Sequence, residues 1–497
     1  MRPRFPVHAC LALVTFSAFL AFFHERVDRT KGLDVGIVAP VFHFDIEQTP
    51  LLPIVPAAAE LDSPLLQPAR ASALLRDEHG VLDAFYDSLW NLEKGADRQV
   101  HVLHYGDSPT SADMITGDAR QLLQRRFGDG GHGFVLIAKP WAWYQHRDVD
   151  LTGSGWEVDT AVGTMREGAY GLGGVAFRGG KGAYSRIRLA DHGHTQIEIA
   201  YLAQPGAGAL EVTADGRDLG TMETAAPSTA IGFRQFDLPA NTREIELRPT
   251  GAPLCLFGVC LRKSARGLIY DSIGLNGAST TVLSRAFSER HWQAELEHRQ
   301  PDLVIINYGT NESGYRAYVE KSYEGELRRA IQRVRTALPH CSILVMSPMD
   351  RGERGAGNTV QTLSTIPLMV QIQERVAREN GAGFFNTFEA MGGESTMARW
   401  YNRTPRLVAA DLIHPSPQAA RMIATSFVQQ LLAGYNRFKM RQLQLQIAEA
   451  QAHDSRRSTA PASRLGARAA AGRAAGPTNN SGARSAPVAG SGTLQGK

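Results

Sequence analysis

The chain has 497 residues, of which 43% are hydrophobic, so it is long enough to form more than one domain with a substantial core. Its net charge of +4 is unevenly placed, because residues 451–497 hold seven Lys/Arg and one Asp, which leaves about −2 for the remainder. A folded part with this charge is not expected to bind nucleic acid, and four cysteines form neither a disulfide framework nor a zinc motif.

The first 30 residues predict a segment for export. Arg2 and Arg4 precede a mostly apolar run over residues 7–23, which would extend about 25 Å as a helix. No A-x-A cleavage pattern follows this run, so an uncleaved signal anchor is favoured over a cleaved signal peptide. Residues 31–70 are rich in proline and predict a linker. We expect the main body to lie in the periplasm or cell envelope and to be anchored to the inner membrane by the N-terminal segment.

The first elements predicted for the folded body are a helix and a strand. Residues 71–95 carry an amphipathic helical pattern. Its apolar positions are Leu74, Leu75, Leu82, Phe85 and Leu89. Val102 and Leu103 then predict the end of a buried strand, at the start of the stretch VLHYGDSPTSAD over residues 102–113.

A sharp turn is predicted directly after this strand. Gly106 and the following proline make the chain turn, and Ser111 or Asp113 is expected to cap a helix that ends near Phe127. A serine between such a strand and helix, here Ser108, exposes its hydroxyl near the N–H groups of the helix. This is a suitable position for a nucleophile, although the same composition is common in ordinary turns.

The sequence changes character between residues 150 and 265. Glycines recur, and short alternating stretches such as TQIEIAYLA, ALEVTADG, RQFDLPA and REIELRP are separated by turn signals. This spacing predicts a β-sandwich module that is inserted into another domain. Within it we interpret Cys255 and Cys260 as core thiols, and DHGHT at residues 191–195 as a polar turn rather than a small metal cluster.

After the insert, apolar strands alternate with helices. Strands are predicted at residues 267–274, 302–309, 341–348 and 381–388, and helices at 322–338, 366–380 and from Pro417 to about Leu432. Such alternation predicts an α/β domain, in which helices cover both faces of a parallel sheet. We assign residues 71–149 and 266–440 to this discontinuous domain, and residues 441–497 to a disordered tail.

Polar groups follow the predicted strands at their carboxyl ends, where function collects in an open parallel sheet. They are Gly106-Asp107-Ser108, Gly274-Leu275-Asn276-Gly277, Gly309-Thr310-Asn311-Glu312 and, before the last helix, DLIHPSP with Asp411 and His414. Together they supply a hydroxyl, backbone N–H donors, a side-chain amide and a carboxylate–imidazole pair. These are the groups that acyl transfer needs.

The chemistry of acyl transfer suggests a role for each group. Ser108 needs a base, and His414 would accept its proton and later pass that proton to the leaving alcohol. Asp411 precedes His414 by three residues, so it can reach the imidazole, fix its tautomer and stabilise the imidazolium. The oxyanion of the tetrahedral intermediate would lie among the N–H groups of Ser108 and Gly277 and the amide of Asn311.

The blocks GDS, GLNGA, GTNES and DLIHP resemble those of the SGNH (GDSL-type) hydrolase family and stand in the family's order. The resemblance covers about residues 99–149 and 266–434, and it implies a flavodoxin-like three-layer α/β/α fold. It also implies the catalytic triad Ser108, His414 and Asp411, with Gly277 and Asn311 in the oxyanion hole.

A narrower resemblance is to bacterial peptidoglycan O-acetylesterases. These enzymes also place a carbohydrate-module-like β-domain between the first two blocks, and their second block is similar to GLNGA. One departure from the family pattern is Glu312, which stands where many members have Asp. We expect little effect from it, because Asn311 is the donor.

Several other residues allow a functional interpretation beside a structural one. Trp141, Trp143 and Tyr144 are candidates for stacking on sugar rings, and packing between the two domains is an equal alternative. Ser272 in YDSIG is a rival nucleophile, but Tyr270 replaces the first glycine of G-x-S-x-G, which favours a structural role. No P-loop, HExxH or dinucleotide fingerprint is present, so we propose neither a cofactor nor a metal.

These features predict an exported serine esterase that removes O-acetyl groups from a cell-envelope polysaccharide such as peptidoglycan. The expected partners are this O-acetylated polysaccharide and, through the N-terminal segment, the membrane. One alternative is an O-acetyltransferase, in which a sugar hydroxyl replaces water with the same triad. A second alternative is an envelope-binding protein, in which the β-module binds and the hydrolase scaffold is silent.

Overall fold

The computed structural model of the chain describes residues 74–162, 167–263 and 266–458. The helices named within these ranges are α1 (Asp83–Glu93), α2 (Ser108–Ser111), α3 (Met114–Phe127), α4 (Glu289–Arg299), α5 (Arg316–Lys321), α6 (Tyr323–Ala337), α7 (Thr365–Glu379), α8 (Thr387–Ala390), α9 (Thr396–Tyr401) and α10 (Pro417–Ser458). Shorter helical turns lie at Glu78–Gly80, Val282–Ala286, Glu312–Gly314 and Ala356–Asn358.

The strands of the same ranges form a parallel sheet, two larger antiparallel sheets and a small hairpin. They are β1 (Leu75–Arg76), β2 (Gln99–Gly106), β3 (Gly133–Val135), β4 (Val149–Ser154), β5 (Glu157–Thr160), β6 (Val175–Gly179), β7 (Tyr184–Leu189), β8 (Gln196–Ala203), β9 (Ala209–Ala214), β10 (Arg217–Glu223), β11 (Ala230–Asp237), β12 (Glu244–Thr250), β13 (Leu254–Arg262), β14 (Gly267–Gly274), β15 (Leu303–Asn307), β16 (Ser342–Met346), β17 (Gly352–Arg354), β18 (Val360–Thr362) and β19 (Gly383–Phe385).

The central sheet has the strand order β1-β19-β16-β15-β2-β14. Its neighbouring strands are parallel except for β1, which pairs antiparallel with β19 at one edge. Gly106 at the end of β2 lies opposite both Gly274 of β14 and Asn307 of β15, so three of the predicted blocks start at one level of the sheet. The prediction of an α/β fold with a parallel sheet is confirmed.

The inserted β-region is also confirmed, as two antiparallel sheets. One has the order β10-β9-β12-β7-β4 and the other β11-β8-β13-β6-β5. Alternate residues along β7 and β12 are buried, such as Ile187 and Ile245, which is typical of strands that pack against a second sheet. The second sheet also takes in β3, which precedes residue 150 and pairs with β13.

The parallel sheet and the antiparallel sheets share one hydrophobic core. A single buried cluster contains Tyr105 and Ile306 of the parallel sheet together with Ile187 and Leu256 of the two antiparallel sheets. Polar contacts reinforce the junction: Phe134 N–H of β3 donates to Asp271 Oδ1 of β14 at 2.6 Å. The β-region is therefore packed into the α/β domain through side chains that both parts contribute.

Cys255 and Cys260 have the environment that the sequence predicts for them. Both are buried and unbridged, and each is 1% exposed. The Arg299 guanidinium of α4 donates to Cys260 Sγ at 2.7 Å, so this thiol also contacts a charge from outside the β-region.

The predicted helix over residues 71–95 is wrong in its first half. Leu75 lies in β1, where it pairs with Phe385, and the helix α1 begins only at Asp83. The reason is the conformation of His79 and Gly80, whose φ angles of 62° and 68° are left-handed and interrupt any helix that would cross them. The apolar pattern is therefore divided between a strand and a helix.

The predicted helix after the serine turn is divided as well. Ser108–Ser111 form a short helix, and α3 begins at Met114 after Asp113, which has a left-handed φ of 49°. Asp113 occupies the N-cap position without a side-chain cap bond to a backbone N–H. Its carboxylate instead accepts bonds from the Thr116 hydroxyl and the Arg120 guanidinium, and these contacts hold the start of α3.

The last helix is longer than the sequence predicts. It was expected to reach about Leu432, but α10 continues to Ser458, so residues 441–458 of the predicted disordered tail are helical. The reason is local: Gln, Leu, Glu, Ala and Arg dominate these positions, and all of them are good helix formers. Residues from Lys439 onward form a second unit, of which the described part is helix.

The predicted signal anchor of residues 1–30 and the linker of residues 31–70 lie outside the described residues, as does the tail from residue 459. Within the described ranges, no helix combines the length and the apolar character needed to cross a membrane.

Candidate active site

Ser108, His414 and Asp411 lie in one line of hydrogen bonds. Ser108 Oγ is 2.7 Å from His414 Nε2, and His414 Nδ1 is 2.7 Å from Asp411 Oδ2. With Nδ1 protonated, His414 donates to the carboxylate and presents the lone pair of Nε2 to the serine hydroxyl. The structure thus brings together the three residues that the sequence analysis selected, although Ser108 and His414 are 306 residues apart in the chain.

The loop before α10 holds Asp411 in place. Asp411 Oδ1 accepts the backbone N–H groups of Ile413 at 2.9 Å and His414 at 3.1 Å, so the loop folds back on its own carboxylate. Partial burial raises the pKa of Asp411, but the hydrogen bonds from the His414 ring and from these two N–H groups outweigh it and lower the pKa overall. Asp411 is therefore ionised at neutral pH and can stabilise an imidazolium.

Two glycines allow the serine turn to pack against the sheet. A Cβ at Gly274 would lie 1.9 Å from Ser111 N, and a Cβ at Gly106 would lie 2.1 Å from Thr110 Oγ1. No side chain fits at either position, so α2 sits directly on the ends of β2 and β14. This close approach places Ser108 at the carboxyl edge of the sheet.

Gly277 and Asn311 are the candidate oxyanion donors besides the Ser108 N–H. Gly277 is exposed and has a φ of 74°, whereas Gly274 is enclosed by the backbone of α2. Asn311 Nδ2 donates to Ala278 O at 2.7 Å, which fixes the amide beside the glycine block. One N–H of this amide is used by that bond, and the second remains to bind a developing oxyanion.

Two buried carboxyl groups next to the proposed catalytic residues were not given a role from the sequence. Asp107 precedes Ser108, and burial raises its pKa to about 7, although a hydrogen bond from Thr310 lowers it. Glu312 follows Asn311, and burial raises its pKa as well. Glu312 Oε1 accepts the Thr280 N–H at 2.7 Å and the Thr280 hydroxyl at 2.9 Å, so it ties the asparagine block to the glycine block.

Arg351 connects two further parts of the site. Its guanidinium donates to Thr310 O at 2.8 Å and to Ser313 Oγ at 3.1 Å, on either side of the Asn311 turn. The adjacent Gly352 N–H donates to Leu412 O at 2.9 Å, in the loop that carries the histidine. Neither contact follows from a sequence motif, because an isolated arginine after a strand carries no signal of its partner.

The three aromatic candidates have different environments. Tyr144 is 3% exposed and its hydroxyl accepts the Leu136 N–H, so the sugar-binding interpretation is wrong for this residue and the packing alternative holds. Trp141 is partly buried and donates from Nε1 to Ser111 Oγ at 2.9 Å, at the end of α2. Trp143 is 71% exposed, so its ring is available to a ligand.

Ser272 has the structural environment that the sequence analysis favours. Its hydroxyl is buried and lies within hydrogen-bond distance of two acceptors, 3.1 Å from Thr110 O and 2.7 Å from Thr116 Oγ1. Ser272 therefore holds α2 and the start of α3 against β14.

Away from the triad, the turn DHGHT meets a histidine from another segment. Asp191 and His194 lie beside His132, and the ligand atoms of these three residues are all within 4.8 Å of one another. Among the described residues this group is the candidate for holding a metal ion. The sequence analysis considered DHGHT as a small metal cluster and favoured a polar turn, and it did not include His132, which lies 59 residues from Asp191.

Known proteins resemble this chain in sequence over its C-terminal part and in fold over most of its length. Residues 257–422 match the model of the GDSL-like lipase/acylhydrolase family, a range that contains Gly277, Asn311 and the Asp411–His414 pair but begins after Ser108. A solved structure of a peptidoglycan O-acetylesterase is similar with a TM-score of 0.63 and 24% identity, covering 73% of this chain and 99% of that chain. No match was found among curated protein sequences.

Two further solved structures are much less similar, with TM-scores below 0.5. One is Est24, a carbohydrate acetylesterase from Sinorhizobium meliloti, with 15% identity, a TM-score of 0.25 and coverage of 33% of this chain and 79% of that chain. The other is a carbohydrate esterase family 2 enzyme with a carbohydrate binding domain from Corynascus thermopiles, with 12% identity, a TM-score of 0.27 and coverage of 58% and 100%.

Proposed function

Because the chain is an SGNH hydrolase, whose residues 257–422 belong to the GDSL-like lipase/acylhydrolase family, we propose that it removes O-acetyl groups from a cell-envelope polysaccharide. Peptidoglycan is the substrate that we infer. The observation that carries the proposal is the pair of 2.7 Å hydrogen bonds that joins Ser108 to His414 and His414 to Asp411. This geometry is what a hydroxyl needs to become a nucleophile at neutral pH.

In the first half-reaction, Ser108 Oγ attacks the acetyl carbonyl carbon while His414 Nε2 accepts the hydroxyl proton. The carbonyl oxygen becomes an oxyanion, for which the Ser108 N–H, the Gly277 N–H and the Asn311 amide are the donors. When the intermediate collapses, the bond to the sugar oxygen breaks and His414 gives its proton to that oxygen. The products are a free sugar hydroxyl and acetyl-Ser108.

In the second half-reaction, water replaces the sugar. His414 accepts a proton from water as the water oxygen attacks the acetyl carbon, and the same proton returns to Ser108 Oγ as acetate leaves. The side chain of His414 is 41% exposed and that of Asp411 46% exposed, so bulk water reaches the base directly. This access favours hydrolysis.

Two observations support a polymeric carbohydrate as the substrate. The similar structure that covers most of this chain is that of a peptidoglycan O-acetylesterase. In addition, the exposed Trp143 belongs to a segment that is bonded to the serine helix, since Trp141 Nε1 and Gln145 N–H both donate to Ser111. An exposed indole on a segment that is bonded to the serine helix is a suitable platform for a sugar ring.

The same proposal includes export to the cell envelope, where such a substrate would lie. It rests on the apolar run at residues 7–23 that follows Arg2 and Arg4. We propose that this run attaches the enzyme to the inner membrane. Fractionation of cells that produce the full chain tests it, because the membrane fraction should contain the enzyme and removal of residues 1–30 should release it from that fraction.

The test of function is acetate release from O-acetylated peptidoglycan by the full chain. The wild-type protein should release acetate, and Ser108→Ala should lower the rate by at least about a thousandfold, because the acyl-enzyme cannot form. Ser154→Ala is the matched control, since it removes an exposed serine hydroxyl at the end of β4, outside the blocks that supply the site. Its rate should stay within a few-fold of the wild type.

Three results would contradict the proposal. Acetyl transfer to an added glycan in preference to water would identify an O-acetyltransferase. Hydrolysis of small acetyl esters without acetate release from peptidoglycan would assign a different substrate. Equal hydrolysis by Ser108→Ala and the wild type would remove the serine mechanism, although the chain could still be an enzyme of another kind.

A further inference from the structure

Three histidines and an aspartate gather where the β-region meets the segment before β3. His132 precedes β3, His146 precedes β4, and Asp191 and His194 lie in the turn between β7 and β8. The imidazole rings of His132 and His194 are stacked, with centroids 5.1 Å apart, and His146 meets His132 edge-on at 5.3 Å. The three histidines are only 2% to 6% exposed.

Most of the ring nitrogens in this cluster lack a hydrogen-bond partner. Both nitrogens of His194, Nδ1 of His132 and Nε2 of His146 are buried without a partner among the described residues. A buried polar atom without a partner costs about 1–3 kcal/mol, so several at one place require a compensating contact. A metal ion would supply such a contact to one of them, His194 Nδ1, which lies beside Asp191.

The positions of the donor atoms suit a metal ion. His132 Nε2 is 2.9 Å from Asp191 Oδ1, and His194 Nδ1 is 3.9 Å from the same oxygen. Ligands that bind Zn²⁺ tetrahedrally at roughly 2.0–2.1 Å are about 3.3 Å apart, which lies between these two distances. Two imidazoles and one carboxylate are ligand types that Zn²⁺ commonly takes.

The surrounding charges orient the aspartate. The Lys263 ammonium donates to Asp191 Oδ2 and, at 2.7 Å, to Asp129 Oδ2. This leaves Asp191 Oδ1 toward the histidines, as the second sphere of a metal site requires. Because two carboxylates face one ammonium, the group keeps a net negative charge, which favours a divalent cation.

We propose that His132, Asp191 and His194 bind one Zn²⁺ ion. The ion joins the segment before β3 to the β7–β8 turn, so it links two parts of the chain that are distant in sequence. When the ion replaces the His132–Asp191 hydrogen bond, the N–H of the neutral His132 ring moves from Nε2 to Nδ1, because a histidine binds a metal through an unprotonated nitrogen. The site is separate from the triad and does not depend on the esterase proposal.

The experiment uses the full chain, stripped with a chelator, incubated with Zn²⁺ or with Mg²⁺ and then dialysed. Metal content is counted by mass spectrometry, and the midpoint of thermal unfolding, Tm, is measured with and without the ion. The wild type should retain about one Zn²⁺ and no Mg²⁺, and its Tm should rise on Zn²⁺ binding. His132→Ala and His194→Ala should bind Zn²⁺ at least about tenfold more weakly and lose the rise in Tm.

His192→Ala is the matched control, because His192 lies in the same turn but is exposed and outside the ligand set. It should bind Zn²⁺ as the wild type does. If an alanine variant does not fold, Asp191→Asn keeps the side-chain shape and removes the carboxylate ligand, and it should also bind at least about tenfold more weakly.

A wild-type chain that retains no Zn²⁺ would overturn the proposal. So would a wild-type chain whose Zn²⁺ is retained equally by His132→Ala, His194→Ala and Asp191→Asn, since the ion would then be held elsewhere. Acetate release serves as an independent readout. Its presence or absence tests the esterase proposal and leaves the metal count to decide the zinc site.

Discussion

The parallel sheet and the antiparallel region both bury polar side chains, but they place them differently. In the parallel sheet, Asp107 and Glu312 are buried beside the proposed catalytic residues, directly after β2 and β15. In the antiparallel region, the buried His132 and His194 precede β3 and β8, which are not consecutive strands of the chain. The buried carboxyl groups thus lie after neighbouring strands of one parallel sheet, whereas the buried histidines lie before strands of the antiparallel region.

Strand direction explains this difference. Parallel strands all end at one edge of the sheet, so residues that follow each strand in sequence converge at that edge. Antiparallel strands end alternately at both edges, so residues after successive strands separate. A site at the edge of a parallel sheet can therefore be found from motifs, whereas a site in the antiparallel region needs the structure.

The largest effect is expected from removing the antiparallel region altogether. Deletion of residues 150–265 should abolish cooperative unfolding and all esterase activity, because the two regions share one core and β3 pairs with β13. Thermal unfolding and hydrolysis of a small acetyl ester would measure this. As a control, Val158→Ala, at an exposed site of the same region, should change neither quantity appreciably.

A folded deletion variant that still cleaves the small ester would separate the two regions. The β-region would then be a module for selecting polymeric substrates and not a requirement for folding.

A large but purely chemical effect is expected at Asp411. Asp411→Asn should lower kcat by about 10³–10⁴-fold, because the amide neither stabilises the His414 imidazolium nor fixes its tautomer. The Tm should change little, since the Asp411 side chain is nearly half exposed. Steady-state kinetics on a small acetyl ester would measure the first quantity and thermal unfolding the second. A kcat within tenfold of the wild type would exclude Asp411 from the triad.

A smaller effect on rate is expected at the oxyanion site. Asn311→Ala should lower kcat by about 10²–10³-fold with little change in KM, because the amide acts on charge that develops in the transition state. Asn386→Ala is a useful contrast, since Asn386 follows β19 and caps α8 by accepting the Glu389 N–H. It should cost about 1 kcal/mol of stability and leave kcat unchanged. Equal losses of rate in both variants would point to a general defect in folding.

The sequence predicted most of the parallel sheet because its strands are continuous apolar runs. The stretch GLIYDSIG coincides with β14, Gly267–Gly274, and every residue of that strand is buried. The prediction from sequence was wrong where a single apolar pattern covers both a strand and a helix. Leu75 lies in β1, whereas Phe85 and Leu89 lie in α1. The left-handed conformation of His79 and Gly80 decides this division, and periodicity alone does not reveal it.

The residues of the candidate site fall into two groups, those that the sequence predicted and those that only the structure reveals. Ser108, Asn311 and His414 were found because each follows a strand or precedes a helix in a recognisable block. The supporting contacts were not found, such as Thr280 on Glu312, because a hydrogen bond between two blocks leaves no local pattern. The residue types of a site can thus be predicted from such blocks, whereas the side chains that hold them require the fold.

The smallest effect is expected at Trp143, which lies on the segment between the two regions. Trp143→Ala should raise KM for O-acetylated peptidoglycan by about 2–10-fold, because stacking on an aromatic ring contributes about 0.5–1.5 kcal/mol. Values for a small acetyl ester should not change, since such a substrate does not reach beyond the triad. Trp143→Phe keeps an aromatic face and should restore most of the affinity for the polymer. If both variants affect the polymer and the small ester alike, Trp143 supports the serine turn through its neighbour Trp141 instead of binding sugar, because only a defect at Ser108 would reach both substrates.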